Sequence, residues 1–269
     1  MQCEPSVKKE SIHPWKNKDM ANNYIPTEVF LDWAEVFHWA TKRHFQLAIT
    51  GQEPKRHRRA EIVLRRLSQR RELRAVRYGK KLIYALPRKT KKVDEFEAMS
   101  KIFHGLACTE CLVRIYRSKM DGEIIPERFF RGCGSVPEWG IRYPNKTMLL
   151  LEFSTKSNFL YTELMNGKIN AYRRNLEKIE KKFQAKAMVI FVIDVPRDTV
   201  RRYVGSLGRE VGSVADGDMS APADGDRFPL LPFFFVDYET FLKVPIGKQL
   251  TEPIYLWSYD GKTYPLRKA

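Results

Sequence analysis

A single acid, Glu152, interrupts the apolar run from Met148 to Phe153. A carboxylate in such a run needs a partner or a function, because a buried unpaired charge is strongly unfavourable. Glu138 stands fourteen positions earlier, directly after a proline, and Glu127 and Glu110 lie farther upstream. Acids on two neighbouring strands, with one more from a helix, can collect Mg²⁺ or Mn²⁺ through oxygen ligands. We therefore predict Glu138 and Glu152 as metal ligands and Glu127 as a further catalytic candidate.

A divalent cation at this place could activate water and stabilise the charge that develops during phosphodiester cleavage. A nearby lysine would hold the attacking water or the charged transition state. The alternative is structural, with Glu138 and Glu152 as edge charges or as ion-pair partners of Arg142 and Arg131. The residue types leave both interpretations open.

The elements that position these acids are a strand, a helix and a second strand. They are predicted at Met148–Phe153, Asn158–Phe183 and Met188–Ile193. This order favours a βαβ unit inside a mixed sheet, to which Phe233–Val236 and Ile254–Trp257 add strands. The predicted class is α/β, or α+β over the whole chain, with helices flanking a mixed sheet.

Three further segments complete this C-terminal part. The pattern of Asp94–Tyr116 predicts a long helix, and frequent Gly and Pro between residues 121 and 145 predict irregular turns or an edge hairpin. Residues 204–227 are rich in Gly, Ser, Ala and Asp, which is typical of a flexible insertion.

Positive charge is concentrated in the segment Lys55–Lys92. It carries sixteen Lys and Arg against two acids, so its local net charge is +14 in a chain whose total is +16. The rest of the chain is close to neutral. We expect a polyanionic partner to contact this segment, not a generally basic surface.

The first half of this basic segment has the pattern of an amphipathic helix. If Arg56–Gln69 is helical, Ala60, Val63, Leu64 and Leu67 form one apolar stripe. Arg, Gln and Ile on the opposite face have the chemistry needed to contact base edges in a major groove. An ordinary solvated basic face is the alternative.

A basic hairpin is predicted next, with strands at 73–78 and 82–86 joined by a turn at residues 79–81. A basic helix followed by a basic hairpin is the plan of a winged helix-turn-helix, whose partner is double-stranded DNA. The predicted contacts to DNA are Arg56, Arg58, Arg59, Ile62, Arg65, Gln69, Arg77, Lys80 and Lys81.

Two earlier helices complete this unit, one beginning at Pro26–Thr27 and one beginning at Thr41 and ending at Gly51. With 269 residues the chain has room for about two domains. We predict a polar N-terminal arm at 1–25, a winged helix-turn-helix with a basic linker at 26–92 and an α/β domain at 93–269. Winged proteins often dimerise, so a homodimer remains open.

Composition excludes several other classes. The sequence has neither an apolar run of membrane-spanning length nor a secretory signal, which predicts a cytoplasmic protein without a membrane partner. Four cysteines are too few for a disulfide framework, and a phosphate-binding glycine loop is lacking. His104, Cys108 and Cys111 have i, i+4, i+7 spacing and Cys133 could complete a zinc tetrahedron, but buried thiols are the commoner outcome and zinc is not expected.

Several of these features together resemble the replication-relaxation family of plasmids and mobile elements. The resemblance covers about Pro26 to Lys262, and its motifs are short. They are the winged unit, His104–Gly–Leu, the run from Pro126–Glu127 to Pro137–Glu138, the strand Leu149–Leu–Leu–Glu–Phe and the helix holding Lys168 and Tyr172.

The resemblance implies a second domain similar to the PD-(D/E)XK nuclease fold. In that pattern an aspartate follows a proline on one strand and the next strand reads Glu-x-Lys. Here Glu138 takes the aspartate position and Ser154 the lysine position, so Lys156 or Lys168 would have to replace the lysine. The implied function is DNA binding in replication or its control, and the alternative is a metal-dependent DNA endonuclease or nickase.

Overall fold

A computed structural model describes residues 26–51, 58–87, 95–117, 122–160, 162–215, 233–244, 254–258 and 262–266. The predicted N-terminal arm, the basic linker at Arg88–Lys92, Arg56 and the side chains of Arg58 and Arg59 lie outside these residues.

The N-terminal part folds as three helices and a small antiparallel sheet. Its second helix begins where predicted, because Thr41 and His44 cap it reciprocally: the His44 backbone N–H donates to Thr41 Oγ1 and the Thr41 N–H donates to His44 Nδ1. It ends at Gly51, whose φ of 71° suits glycine. The elements are α1 (Thr27–Val36), β1 (Ala40–Thr41), α2 (Lys42–Thr50), α3 (Arg58–Gln69), β2 (Arg74–Tyr78) and β3 (Lys81–Ala85).

The predicted apolar stripe of α3 packs into the core. Ala60, Leu64 and Leu67 are buried and Val63 is half-buried. The predicted hairpin also forms, in a sheet of order β1-β3-β2, but Tyr78 pairs directly with Lys81. The turn therefore has two central residues, and Lys81 begins the returning strand.

The rest of the described chain builds a seven-stranded mixed sheet with flanking helices, as the α/β prediction required. Its order is β10-β9-β8-β7-β6-β5-β4, and β7 runs parallel to both β6 and β8. The elements are α4 (Glu95–Arg117), β4 (Glu123–Pro126), a 3-10 helix (Glu127–Phe130), β5 (Trp139–Arg142), β6 (Thr147–Ser154), α5 (Lys156–Leu160), α6 (Thr162–Phe183), β7 (Lys186–Ile193), α7 (Arg197–Ala215), β8 (Phe233–Asp237), α8 (Tyr238–Phe241), β9 (Ile254–Ser258) and β10 (Thr263–Leu266).

Alternation along β6 divides the core into two layers. Leu149, Leu151 and Phe153 pack with α4 and the N-terminal helices, whereas Met148 and Leu150 pack with α6 and α7. The first layer crosses the predicted domain boundary without a break. In addition, Arg43 pairs with Glu110, Arg128 pairs with Glu35, and Arg117 donates to the carbonyl of Ala48. Helix α4 therefore lies between the small N-terminal sheet and the large one.

The prediction of a flexible insertion at 204–227 is wrong for its first half, because α7 continues to Ala215. Val200, Val204 and Leu207 recur at helical spacing and are buried in the second core layer. Gly205, which had favoured a loop, lies on the helix, where an added Cβ would meet no atom within 4 Å. Residues 216–227 lie outside the described part of the chain.

Candidate functional site

Glu152 is held by two side chains of α6. Lys168 Nζ donates to Glu152 Oε2 at 2.6 Å, and the Tyr172 hydroxyl donates to Glu152 Oε1 at 2.8 Å. Residues 168 and 172 are four apart, so they share the helix face that lies over β6. Glu152 is 5% exposed. The buried acid therefore has a partner on each oxygen.

Glu138 lies beside this group, one residue before β5. Its backbone N–H donates to the carbonyl of Leu151, and Trp139 pairs with Leu151, so Glu138 lies beside the strand next to that of Glu152, as predicted. Glu138 Oε1 is 2.7 Å from His104 Nε2 on α4. Its Oε2 is 3.4 Å from His38 Nε2, in the segment between α1 and β1. The site therefore combines side chains from the segment between α1 and β1, from α4, from the large sheet and from α6.

Burial and neighbouring charges shift the pKa values of the two carboxyl groups in opposite directions. Burial raises the pKa of Glu152, and the repulsion from Glu138 adds to this, so the pKa lies above its usual value despite Lys168. Burial also opposes ionisation of Glu138, but the hydrogen bond from His104 and the charges of His104 and His38 bring its pKa below the usual value.

The pKa of Lys168 depends on the same two carboxyl groups. Burial disfavours its charged form, but the carboxylate of Glu152 outweighs burial and raises the lysine pKa. An ammonium group therefore faces two acids, and the Lys168 side chain remains 38% exposed. A cation that is both paired and accessible can also meet a ligand anion.

The other predicted catalytic residues lie at different distances from this centre. Glu127, in the 3-10 helix, is 3.4 Å from His38 Nε2 and reaches Glu138 through that imidazole. Lys156 is exposed at the start of α5, where its positive charge and its backbone act on Asp194. Of the two lysines predicted to replace the missing one, Lys168 is the one that contacts Glu152.

Glu110 forms a separate cluster and does not join Glu138, contrary to the expectation that it could contribute to one metal site. It accepts from Arg43 at 2.8 Å and Arg114 at 2.7 Å and lies 2.9 Å from His44 Nε2. Burial alone would raise its pKa, but the hydrogen bond and charge of His44 and the two arginines lower it to about 2. Glu110 therefore joins α2 to α4.

The structural alternative for the two central acids fails at Arg142. Its Nε donates to Glu123 on β4 at 2.9 Å, so its guanidinium group pairs with Glu123. Arg131 is exposed. The partners of Glu138 and Glu152 are instead His104, His38, Lys168 and Tyr172, and the roles of the two histidines and of Tyr172 were not predicted.

The cysteines do not gather as the zinc alternative required. Cys108 and Cys111 lie in the core layer of α4, whereas Cys133 lies in the layer on the opposite side of the sheet. A different group forms instead: ligand atoms of His104, Cys108 and Glu138 all lie within 4.8 Å of one another. Burial, Glu138 and other neighbouring charges raise the pKa of the Cys108 thiol.

Glu138 and Glu152 are the residues that would hold Mg²⁺ or Mn²⁺. An oxygen-ligated cation needs several free oxygens around it. Both oxygens of Glu152 accept hydrogen bonds from α6, and imidazole and thiol groups surround Glu138. This donor set does not fit an all-oxygen site.

The basic surface of the N-terminal part points outward. Ile62 is 43% exposed on α3, on the side opposite the apolar stripe. On the hairpin, Leu82 of β3 is 51% exposed. Six of the predicted DNA contacts have exposed side chains: Ile62, Arg65, Gln69, Arg77, Lys80 and Lys81. Arg66 and Arg70, which were not predicted as contacts, are exposed as well.

A scan of family models and a search of curated proteins gave no match to this chain. Among the described helices, none combines the length and apolar character needed to cross a bilayer.

Proposed function

We propose that the protein binds double-stranded DNA through a winged helix-turn-helix formed by residues 26–87. The observation that carries this proposal is that α3 and the β2–β3 hairpin, which follows it directly in the chain, both expose cationic and apolar side chains, with the Gln69 amide at the end of α3. Arg and Gln on a helix can make bidentate contacts to guanine and adenine, and a basic hairpin can hold phosphate. The biological role proposed from the sequence resemblance is replication, or its control, in a plasmid or mobile element.

The order of elements supports this class of DNA-binding unit. Three helices precede the hairpin, and β1, which lies between α1 and α2, pairs with β3 of that hairpin. The small sheet thereby ties the hairpin to the helical core, while Arg77 and Lys80 remain exposed. Helix α3 is held from behind by its buried stripe and presents its other face to a duplex.

The test is DNA binding by Arg65→Ala and Lys80→Ala, measured by fluorescence anisotropy on a duplex selected from a random pool and on random duplex. Arg65→Ala should weaken binding to the selected site by about 1–3 kcal/mol and relax the preference at one base pair. Lys80→Ala should weaken binding to both duplexes equally and lower the dependence on salt.

The matched control is Lys178→Ala, which removes an exposed cation from α6 and should leave binding unchanged. If Arg65→Ala affected both duplexes alike, α3 would not read bases. Wild-type affinity that did not change with salt would overturn the proposal.

Phosphodiester cleavage is a second candidate, favoured by the contact between Lys168 and Glu152. The order α4-β4-β5-β6-α6-β7, with three antiparallel strands followed by a parallel one, supports a PD-(D/E)XK-like core. Buried Ser154 has no ammonium group, but Lys168 brings one to Glu152 from the following helix. This group can face the negative charge of a scissile phosphate.

Cleavage is tested with supercoiled plasmid in separate reactions containing Mg²⁺, Mn²⁺ and Zn²⁺. If the site cleaves DNA, nicking should require metal and disappear in both Glu152→Ala and Lys168→Ala. Lys156→Ala is the control, because Lys156 acts on Asp194 and should be dispensable. Intact plasmid under all three conditions would leave DNA binding as the function of the whole chain.

A further inference from the structure

Three chemically different ligand groups meet where α4 crosses the start of β5. His104 and Cys108 are four residues apart, so both project from one face of α4. A ring nitrogen of His104, Cys108 Sγ and a carboxylate oxygen of Glu138 lie within 4.8 Å of one another. The indole N–H of Trp139 donates to the Cys108 carbonyl at 3.3 Å, which fixes the helix against the strand.

We propose that His104, Cys108 and Glu138 bind Zn²⁺, with the fourth position open to water or to an anionic ligand. Imidazole, thiolate and carboxylate are all established zinc ligands, and three protein ligands with one open position are the usual arrangement of a reactive zinc centre. Thiolate also selects zinc over Mg²⁺. The site goes beyond DNA binding and does not depend on it.

The charges around the site favour a bound cation. The half-buried Glu138 and the buried Glu152 both act on the Cys108 thiol. Lys168 supplies one positive charge to the two acids. A divalent ion on Glu138 would compensate the remaining negative charge and that of the deprotonated Cys108 thiolate.

His38 is a positioning residue for this centre. Its Nε2 lies 3.4 Å from Glu138 Oε2, so it can orient the carboxylate whose other oxygen faces His104. The Thr109 hydroxyl donates to the carbonyl of Trp39 at 2.8 Å, and a Cβ at Gly105 would come within 3.0 Å of this segment. Because His38 precedes the small sheet, zinc binding would also fasten the N-terminal helices to the large sheet.

The direct test is a Co²⁺ titration of the full chain after chelator treatment under reducing conditions. One equivalent should give the strong visible bands of a four-coordinate site and a near-ultraviolet thiolate-to-metal band. The near-ultraviolet band should disappear in Cys108→Ser, whose fold is checked by circular dichroism. It should remain in Cys111→Ser, which changes a buried thiol one turn farther along α4, and in Cys3→Ser.

Competition against a chromophoric chelator then measures Zn²⁺ affinity. His38→Gln should weaken binding about 10–100-fold and keep the near-ultraviolet Co²⁺ band, as expected for a residue that orients a ligand. His104→Gln should weaken binding more, and it tests the site even if Cys108→Ser does not fold. Glu28→Gln, an exposed change on α1, is the control and should bind like the wild type.

The proposal is overturned if wild-type protein gives only the weak visible bands of six-coordinate Co²⁺. It is equally overturned if folded Cys108→Ser keeps the near-ultraviolet band. No nucleic acid is present, so a negative result here leaves DNA binding untouched, and loss of the DNA-binding proposal leaves this one untouched.

Discussion

Glu110 and Glu152 are both buried glutamates with opposite surroundings. They are 8% and 5% exposed, and each accepts hydrogen bonds on both oxygens. The pKa of Glu110 falls to about 2, whereas that of Glu152 rises. Burial is therefore not what distinguishes the two acids.

The difference lies in the charge of the partners. Glu110 faces two arginines and His44, so its own charge is fully compensated. Arg114 also donates to the carbonyl of Val244 at 2.8 Å, which ties the cluster to the segment after β8. Glu152 has one lysine and a phenol, with Glu138 nearby. Complete compensation is typical of a structural cluster, whereas the excess of acids around Glu152 suits a site that receives a cation.

The largest expected effect is the loss of stability in Glu110→Gln. Removing this charge leaves two half-buried guanidinium groups and the buried His44 without their carboxylate, which should cost about 3 kcal/mol. Urea denaturation followed by circular dichroism measures the change. Glu177→Gln, which removes an exposed acid paired with Lys181, is the control and should change nothing measurable. A loss of stability no greater than in this control would show that the ion pairs of Glu110 do not stabilise the fold.

The next effect is the pH dependence of that loss. The folded pKa of Glu110, about 2, lies below the ordinary 4.5, so its stabilisation is complete above pH 4.5 and is lost as pH falls towards 2. The difference in unfolding free energy between wild type and Glu110→Gln should shrink by about 1.4 kcal/mol for each pH unit below 4.5. Denaturation curves at pH 5, 4 and 3 give this difference. A free-energy difference that stayed constant with pH would mean that the ion pairs do not lower the pKa of Glu110.

The sequence correctly predicted those parts of the fold that depend on residues close to one another in the chain. The buried stripe of α3, the cap at Thr41 and the parallel pairing of β6 with β7 follow from periodicity, a capping residue and the order of elements. The placement of Lys168 on Glu152 agrees with its position on the helix after β6. The prediction at α7 was wrong because three glycines occur in this helix. The helix is stabilised instead by the packing of Val204 and Leu207 in the core.

The contacts of Glu138 could not be predicted in the same way. His38 lies one hundred positions before Glu138, and their approach depends on how the N-terminal helices pack against the large sheet. Gly105 alone could have indicated that another segment packs against α4, since a glycine inside a helix permits close approach of a neighbouring segment. Long-range packing of this kind leaves no periodic signal in the chain.

The smallest expected effect is that of Glu152→Gln on stability. Glutamine keeps groups that can pair with Lys168 and Tyr172, removes the repulsion from Glu138 and leaves a lysine that is already partly exposed. Because the pKa of Glu152 is raised, its protonated form is the stabilising one, and this contribution is lost as pH rises through the folded pKa. A neutral amide at neutral pH should therefore change the unfolding free energy by about 1 kcal/mol or less, within the range of ordinary substitutions. Urea denaturation beside Glu110→Gln checks this. A loss as large as that of Glu110→Gln would mean that Glu152, too, serves chiefly to hold the fold together.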